Sequence, residues 1–269
     1  MSPLTFAIAF ALSSLAQVAA ENRPTVAATA ATLLDDAQTP ESRNALIDAN
    51  VDRAGNLIAE MAKGLGDDPR EEYRRIPWIW RVASEAGRKN EADQLLAVLE
   101  ASLPLENAPL RDWQAVVVGG GVINGITLAG DWPGRRVEKI IGDRADLKRR
   151  WTSALEKSAA LADDVKAARG TRYDALRMVA LLGWDTSGSK LRNYLTRGSH
   201  AELQMGAVSG CGDLDDRRAA EALLEALPGL DSKNIRLAVN AMKRTAERKQ
   251  MLDDAVADGR INRRLLDAK

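Results

Sequence analysis

Residues 174–182 read DALRMVALL, residues 202–208 read ELQMGAV, and residues 235–242 read IRLAVNAM. Each stretch repeats its apolar residues on a helical period. Each is followed by a more polar helical stretch, at residues 190–195, 217–227 and 247–256. Successive starts lie roughly thirty residues apart, the spacing of helix-pair repeats. A helix pair with one apolar face cannot bury it alone, so neighbouring pairs stack. The pattern predicts an all-α chain, with a HEAT-like α-solenoid of stacked antiparallel helix pairs over residues 166–269.

The same periodicity extends towards the N-terminus. Leu57, Ile58, Met61 and Leu65 share one helix face, as do Ile76, Ile79 and Ala83, then Ala92, Leu95, Leu96 and Leu99, then Leu147, Trp151 and Leu155. Breakers fall between these stripes at Gly64, Gly66, Gly87, Pro104, Pro109, Pro133, Gly170, Gly183, Gly198, Pro228 and Gly259. Residues 41–165 therefore read as a helical region with Trp-rich and Gly-rich segments, and residues 21–40 as a linker or short helix. Ahead of them, an apolar run from Leu4 to Leu15 leads to Val18 and Ala20. Small residues there suit signal peptidase, which predicts a signal peptide over residues 1–20 and export to the periplasm or cell envelope. No other apolar run reaches the ~20 residues of a membrane span, so none is expected in the mature chain.

Composition narrows the chemistry. Lys+Arg and Asp+Glu number 38 each, for a formal net charge of zero. Nucleic-acid binding, which rests on neutralising phosphates with surplus positive charge, is not expected. One cysteine, Cys211, and one histidine, His200, exclude an intrachain disulfide, a Cys/His zinc site and a C-x-x-C-H haem attachment. Cys211 reads as a small buried apolar residue. The sequence G-x-S-x-G is absent, and His200 stands in a polar stretch at a helix start rather than in a triad. Asp213, Asp215 and Asp216 do not meet the EF-hand pattern and read as a solvated turn capping the helix from Arg217.

Two segments are more specific. Val116, Val117 and Val118 lead into Gly119, Gly120 and Gly121, then Val122, Ile123, Asn124 and Gly125. This resembles a strand entering a glycine-rich phosphate loop, but the acidic residue and second strand of a dinucleotide fold do not follow. The competing reading is a buried helix whose glycines admit a neighbouring backbone. Each glycine costs a helix about 1 kcal/mol relative to Ala, so close packing or a ligand must offset the loss. The other segment holds Trp78, Trp80, Arg81, Arg111 and Trp113. Trp and Arg dominate protein-binding hot spots; the alternative is that these indoles fill the core with Arg stacked on them.

The run Glu72, Tyr73, Arg74, Arg75, Ile76, Pro77, Trp78, Ile79, Trp80, Arg81, together with Leu110, Arg111, Asp112, Trp113 and residues 119–125, resembles a region of exported PVC-type haem-binding and putative membrane-bound dehydrogenase proteins. The likeness spans roughly residues 40 to 262. It implies a HEAT-like scaffold in an envelope redox context, with a c-type cytochrome or a sugar-dehydrogenase-like protein as partner. The propeller and c-type haem domains of such proteins are not in this sequence, so the resemblance carries over no catalytic residue and no cofactor. The expectation is a non-catalytic, exported scaffold that binds protein through Trp78, Trp80, Arg81, Arg111 and Trp113. The alternative is a small-molecule or nucleotide-binding domain built on residues 119–125.

Overall fold

The computed structural model describes residues 23–266 except 67, 106–108 and 197. The predicted signal segment lies outside these residues. Among the described residues every regular element is helical and none is a strand. In chain order the helices are α1 (Val26–Leu33), α2 (Pro40–Asp48), α3 (Ala54–Ala62), α4 (Pro69–Lys89), α5 (Ala92–Ser102), α6 (Asp112–Val116), α7 (Ile123–Leu128), α8 (Pro133–Ile141) and α9 (Ala145–Leu161). Then follow α10 (Arg169–Ala180), α11 (Trp184–Leu195), α12 (Ala201–Asp213), α13 (Arg217–Ala226), α14 (Ser232–Met242) and α15 (Ala246–Ala257).

Local chemistry sets many of the ends. Thr25, Thr39, Asp68, Asp216, Asp231 and Thr245 each accept a hydrogen bond from a first-turn backbone N–H of the helix they open. His200, exposed, caps α12 by accepting from the Glu202 N–H through Nδ1. Gly64, Gly183, Gly198 and Gly259 take left-handed φ between helices, where a side chain would be strained. Gly87, read as a breaker, instead sits inside α4. Its missing Cβ lets the backbone of Val122 and Gly125 come within 2.7–2.8 Å of where that atom would stand.

Contacts between elements place the helices in two rows. One row passes from α2 to α4, to the segment Asp112–Leu128, then to α10, α12 and α14. The other passes from α1 to α3, α5 and α8, and again from α11 to α13 and α15. Helix α9 packs on α6 and α10 between the two halves. Within the first row the helices run the same way. Gly121 meets Trp80 and Ala83, and Gly125 meets Ser84 and Gly87; further along the same row, Gly206 meets Tyr173 and Gly210 meets Leu176. The apolar stripes anticipated at Leu57–Ile58–Met61–Leu65 and Leu147–Trp151–Leu155 are buried, as are Leu95, Leu99, Ile79 and Ala83, whereas Leu96 and Ile76 are half-buried and Ala92 is exposed.

The glycine-rich segment is a buried helix. Residues Val117–Val122 form a π-helical turn joining α6 to α7, so the valines ahead of the glycines stand in helix. Among the described residues no single helix is long and apolar enough to cross a membrane; the Asp112–Leu128 segment and α8 reach that length only together, across a 110° bend. Each glycine faces its own neighbour. A Cβ on Gly119 would strike the Met178 side chain, one on Gly120 the Asp174 carboxylate and Trp80 indole, one on Gly121 the Ala83 methyl and Trp80 carbonyl. At Gly125 it would stand 2.1 Å from the Ser84 carbonyl oxygen. Close approach, to side chains at Gly119 and Gly120 and to backbone at Gly121 and Gly125, is what offsets the poor helix propensity of the run. Gly125→Ala is therefore expected to lower stability by about 1–3 kcal/mol, whereas Gly170→Ala, with only Glu202 Oε1 at 3.7 Å, should leave it unchanged or slightly raised. Urea denaturation of the two variants measures the contrast.

Candidate functional site

Two apolar cores meet near residue 160. The first gathers residues from Ala30 to Leu155, and the second residues from Leu161 to Ile261. Met178 of α10 belongs to the first core although its helix neighbours belong to the second. Across this junction runs a chain of polar side chains. Arg177 donates through Nε to Asp213 Oδ2 at 2.8 Å and through Nη2 to Asp213 Oδ1 at 3.2 Å. Its Nη1 donates to Asn124 Oδ1 at 3.0 Å, and Asn124 Nδ2 donates to Ser84 Oγ at 3.1 Å. Thr127 Oγ1 donates to Asp213 Oδ1 at 2.6 Å. Helices α4, α7, α10 and α12 are thus joined by one network.

The pair at its centre is almost solvent-free, with side-chain exposures of 3% for Arg177 and 1% for Asp213. Burial alone lowers the Arg177 pKa, and the facing Asp213 carboxylate more than reverses this, leaving it raised. From the sequence Asp213 reads as part of a solvated turn. It is instead the last residue of α12, held inward by Arg177, and only Asp216 acts as the cap of the next helix. Asp215 pairs with Arg135.

One turn before Arg177, Asp174 is 8% exposed. Its Oδ1 and the Trp80 Nε1 both abut Gly120, and the indole N–H faces the carboxyl without closing a well-formed hydrogen bond. Desolvation pushes this carboxyl up to about 7, against the opposing pull of the Arg177 charge. A carboxyl raised in the folded state stabilises the fold fully below the ordinary value of 3.8, and that contribution is lost as pH rises through about 7.

Beside the Trp80–Asp174 contact, towards the helix N-termini, lies a groove of about 470 Å³. Its walls include Ile76 and Pro77 of α4, Trp113 and Val116 of α6, and Ala168 and Thr171 at the start of α10. Residues 76 and 77, 116, and 171 precede Trp80, Gly120 and Asp174 by about one turn on three parallel helices, so the groove sits above the buried Trp80–Asp174 contact. Tyr73, 86% exposed, stands at its rim. A second, smaller cleft of about 180 Å³ lies between α2 and α4, lined by Asn44, Ile47, Trp80, Arg81, Ser84 and Glu85.

The residues expected to bind a partner are thereby distributed. Trp113 is 8% exposed and walls the groove; Arg111 lies two residues before it, its backbone N–H bonded to Gln114 Oε1 at 2.8 Å. Trp80 and Arg81 line the smaller cleft. Trp78 is half-buried, with the guanidinium carbons of Arg43 and Arg81 at 4.4 and 5.2 Å from its ring centre. Arg–indole stacking is thus present at Trp78, and again at Trp132, where Arg244 lies at 3.9 Å and Arg248 at 5.0 Å. Sequence reading gives Asp174 and Arg177 no role beyond a helical repeat, and Tyr73 and Pro77 none beyond membership of the Trp-rich segment. Pro77 inside a helical stripe was the available signal for the groove. Cys211 is buried, its thiol pushed up to about 12 by desolvation, and among the described residues no three His, Cys, Asp or Glu side chains are placed to hold a metal.

Compared with protein-family models, curated proteins and solved structures, the chain finds no match.

Two outcomes follow for the junction. Arg177→Met should cost about 3–5 kcal/mol in chemical denaturation, since it strands Asp213 in the core, and a paired Arg177→Met/Asp213→Leu change should recover much of that loss. For Asp174→Asn, stability should become flatter between pH 4 and pH 7.5, where the unaltered protein loses stability as pH rises; melting temperatures across that range test it.

Proposed function

We propose that this chain is a non-catalytic, HEAT-like helical scaffold that holds a protein partner along α4. The observation that carries the reading is what this helix presents along its length. Tyr73 projects into solvent at the rim of the large groove, and about two turns further on Trp80 and Arg81 line the smaller cleft. Aromatic and Arg side chains beside depressions are the composition of binding hot spots. The two helix rows support the repeat reading, because helices in a stacked-pair array contact their equivalents in the preceding and following pair.

The resemblance of the Trp-rich and Gly-rich segments to exported redox-associated proteins favours an envelope partner, a c-type cytochrome or a sugar-dehydrogenase-like protein. On this reading residues 1–20 are removed on export. A nucleotide site on residues 119–125 is less well supported, because those residues lie in buried helix rather than in a loop open to phosphate.

The test is affinity capture from an envelope fraction with the tagged chain from Glu21 onward. The unaltered protein should recover one envelope protein reproducibly, and a Tyr73→Ser/Arg81→Ala variant should recover at least tenfold less, while Leu128→Ser, an exposed change elsewhere, recovers the same amount. Equal recovery by all three would remove the assignment of α4.

A further inference from the structure

We infer that the exposed face of α10, α12 and α14 is a docking surface for an acidic, amphipathic segment of a partner protein. The charge comes from α14. Lys233, Arg236 and Asn240, with Lys243 at the C-cap, follow one another at i, i+3, i+7 and i+10, so they share an arc of about 80° on the helix. All four are exposed, and no Asp or Glu stands between the N-cap Asp231 and Lys243. Among the described residues none of the three basic side chains makes an ion pair or a hydrogen bond. The opposite row differs. There Arg192 pairs with Glu225, Arg218 with Asp185 and Lys249 with Asp253. In a chain whose 38 basic and 38 acidic residues balance, an unmatched basic stripe is a local separation of charge, and it attracts a complementary surface.

The amphipathic character is argued from what lies beside the stripe. Asn234 donates through Nδ2 to the Ala201 carbonyl at 2.9 Å, and a Cβ on Gly212 would stand 3.1 Å from the Ala241 methyl, so α14 lies along α12 in the same direction. Leu237 shares with Asn234 and Ala241 the side of α14 that turns to α12, and both Leu237 and Ala241 are half-buried. Met205 and Ser209 are half-buried on α12, and Tyr173 of α10 reaches Ser209, the two hydroxyls 3.4 Å apart. A largely apolar seam thus runs beside a basic bank, which is the anatomy of an interface with an apolar centre and a polar rim. Glu202, the carboxylate on the exposed side of α12, turns to α10, its Oε1 3.7 Å from where a Cβ on Gly170 would stand.

A protein segment fits this face better than a bilayer or a nucleic acid. The exposed large apolar residues that would enter a bilayer, Tyr73, Leu105, Leu128 and Val165, lie outside these three helices. Three cations along about 15 Å of helix are few for a duplex that carries one charge per ~1.7 Å.

The inference takes from the scaffold reading only that the partner is a protein, and it does not use α4. Its test is a fluorescence-anisotropy titration of the chain from Glu21 onward with a labelled amphipathic peptide of about five helical turns, leucine along one face and glutamate beside it. The same peptide with glutamine for glutamate is the comparison. At low salt the glutamate peptide should bind about tenfold tighter, and added salt should remove the preference. Lys233→Glu/Arg236→Glu/Lys243→Glu should abolish it, whereas Lys139→Glu/Lys148→Glu/Lys166→Glu, an equal change of net charge at exposed positions elsewhere, should keep it. Lys233→Gln/Arg236→Gln/Lys243→Gln gives the same comparison should the reversed variant not fold. Tyr73→Ser/Arg81→Ala should bind the glutamate peptide as the unaltered chain does, so failure of the α4 assignment and failure of this one are told apart. Equal affinity for the two peptides, a preference that survives the α14 variants, or tighter binding of phosphatidylglycerol vesicles than of the peptide would overturn the inference.

Discussion

The Arg177–Asp213 pair is the contact on which the arrangement of the rest depends. It lies where two separate apolar cores meet, and apolar burial, being non-directional, does not fix how two cores are set against each other. A bidentate guanidinium–carboxylate contact does, because its geometry is planar and narrow. Removed from water, each partner is tolerable only while the other is in place. Asn124, Thr127 and Ser84 occupy further hydrogen-bonding positions around the pair and extend it to α4 and α7. A polar network in this position supplies orientation, where the surrounding leucines and valines supply burial.

The glycines of residues 119–125 serve the same junction from the apolar side. A side chain at Gly121 or Gly125 would force the Asp112–Leu128 segment away from α4, and one at Gly119 or Gly120 would force it away from α10. The segment is squeezed between both neighbours, and the π-helical turn lets glycines that follow one another in sequence face different helices. This close approach brings Trp80 and Asp174 together above Gly120. It also holds Asn124 within hydrogen-bonding distance of Arg177. Tight packing and the polar network are two parts of one constraint.

Seen from this junction, the groove is a consequence of parallel helices. Three helices of one row begin near the same level, and their first turns leave a depression that no side chain fills. Pro77 is tolerated within α4 beside that depression. Its ring removes one backbone donor and meets open space on the groove side. Tyr73 remains at the rim, so an exposed aromatic side chain lies next to an apolar depression.

The helical class, the main buried stripes and several helix ends were legible in the chain itself. Leu57, Ile58 and Met61 repeat at a helical period, and Thr39, Asp216 and Thr245 carry the side-chain chemistry of a helix start; both are local properties of neighbouring residues. The burial of the glycine run was legible only as an energetic puzzle, since three poor helix formers in succession require an offset that the sequence does not display. What only the tertiary structure decided was pairing at a distance. Asp213 reads as one of three acids in a turn until Arg177, 36 positions away, is seen to hold it inward. Trp80, Trp78 and Trp113 read as one aromatic cluster, yet they take three different surroundings, because helix rotation separates residues two apart by most of half a turn. Composition and period are written along the chain; the partner of a buried charge and the face on which an indole emerges are set by helices that meet only after folding.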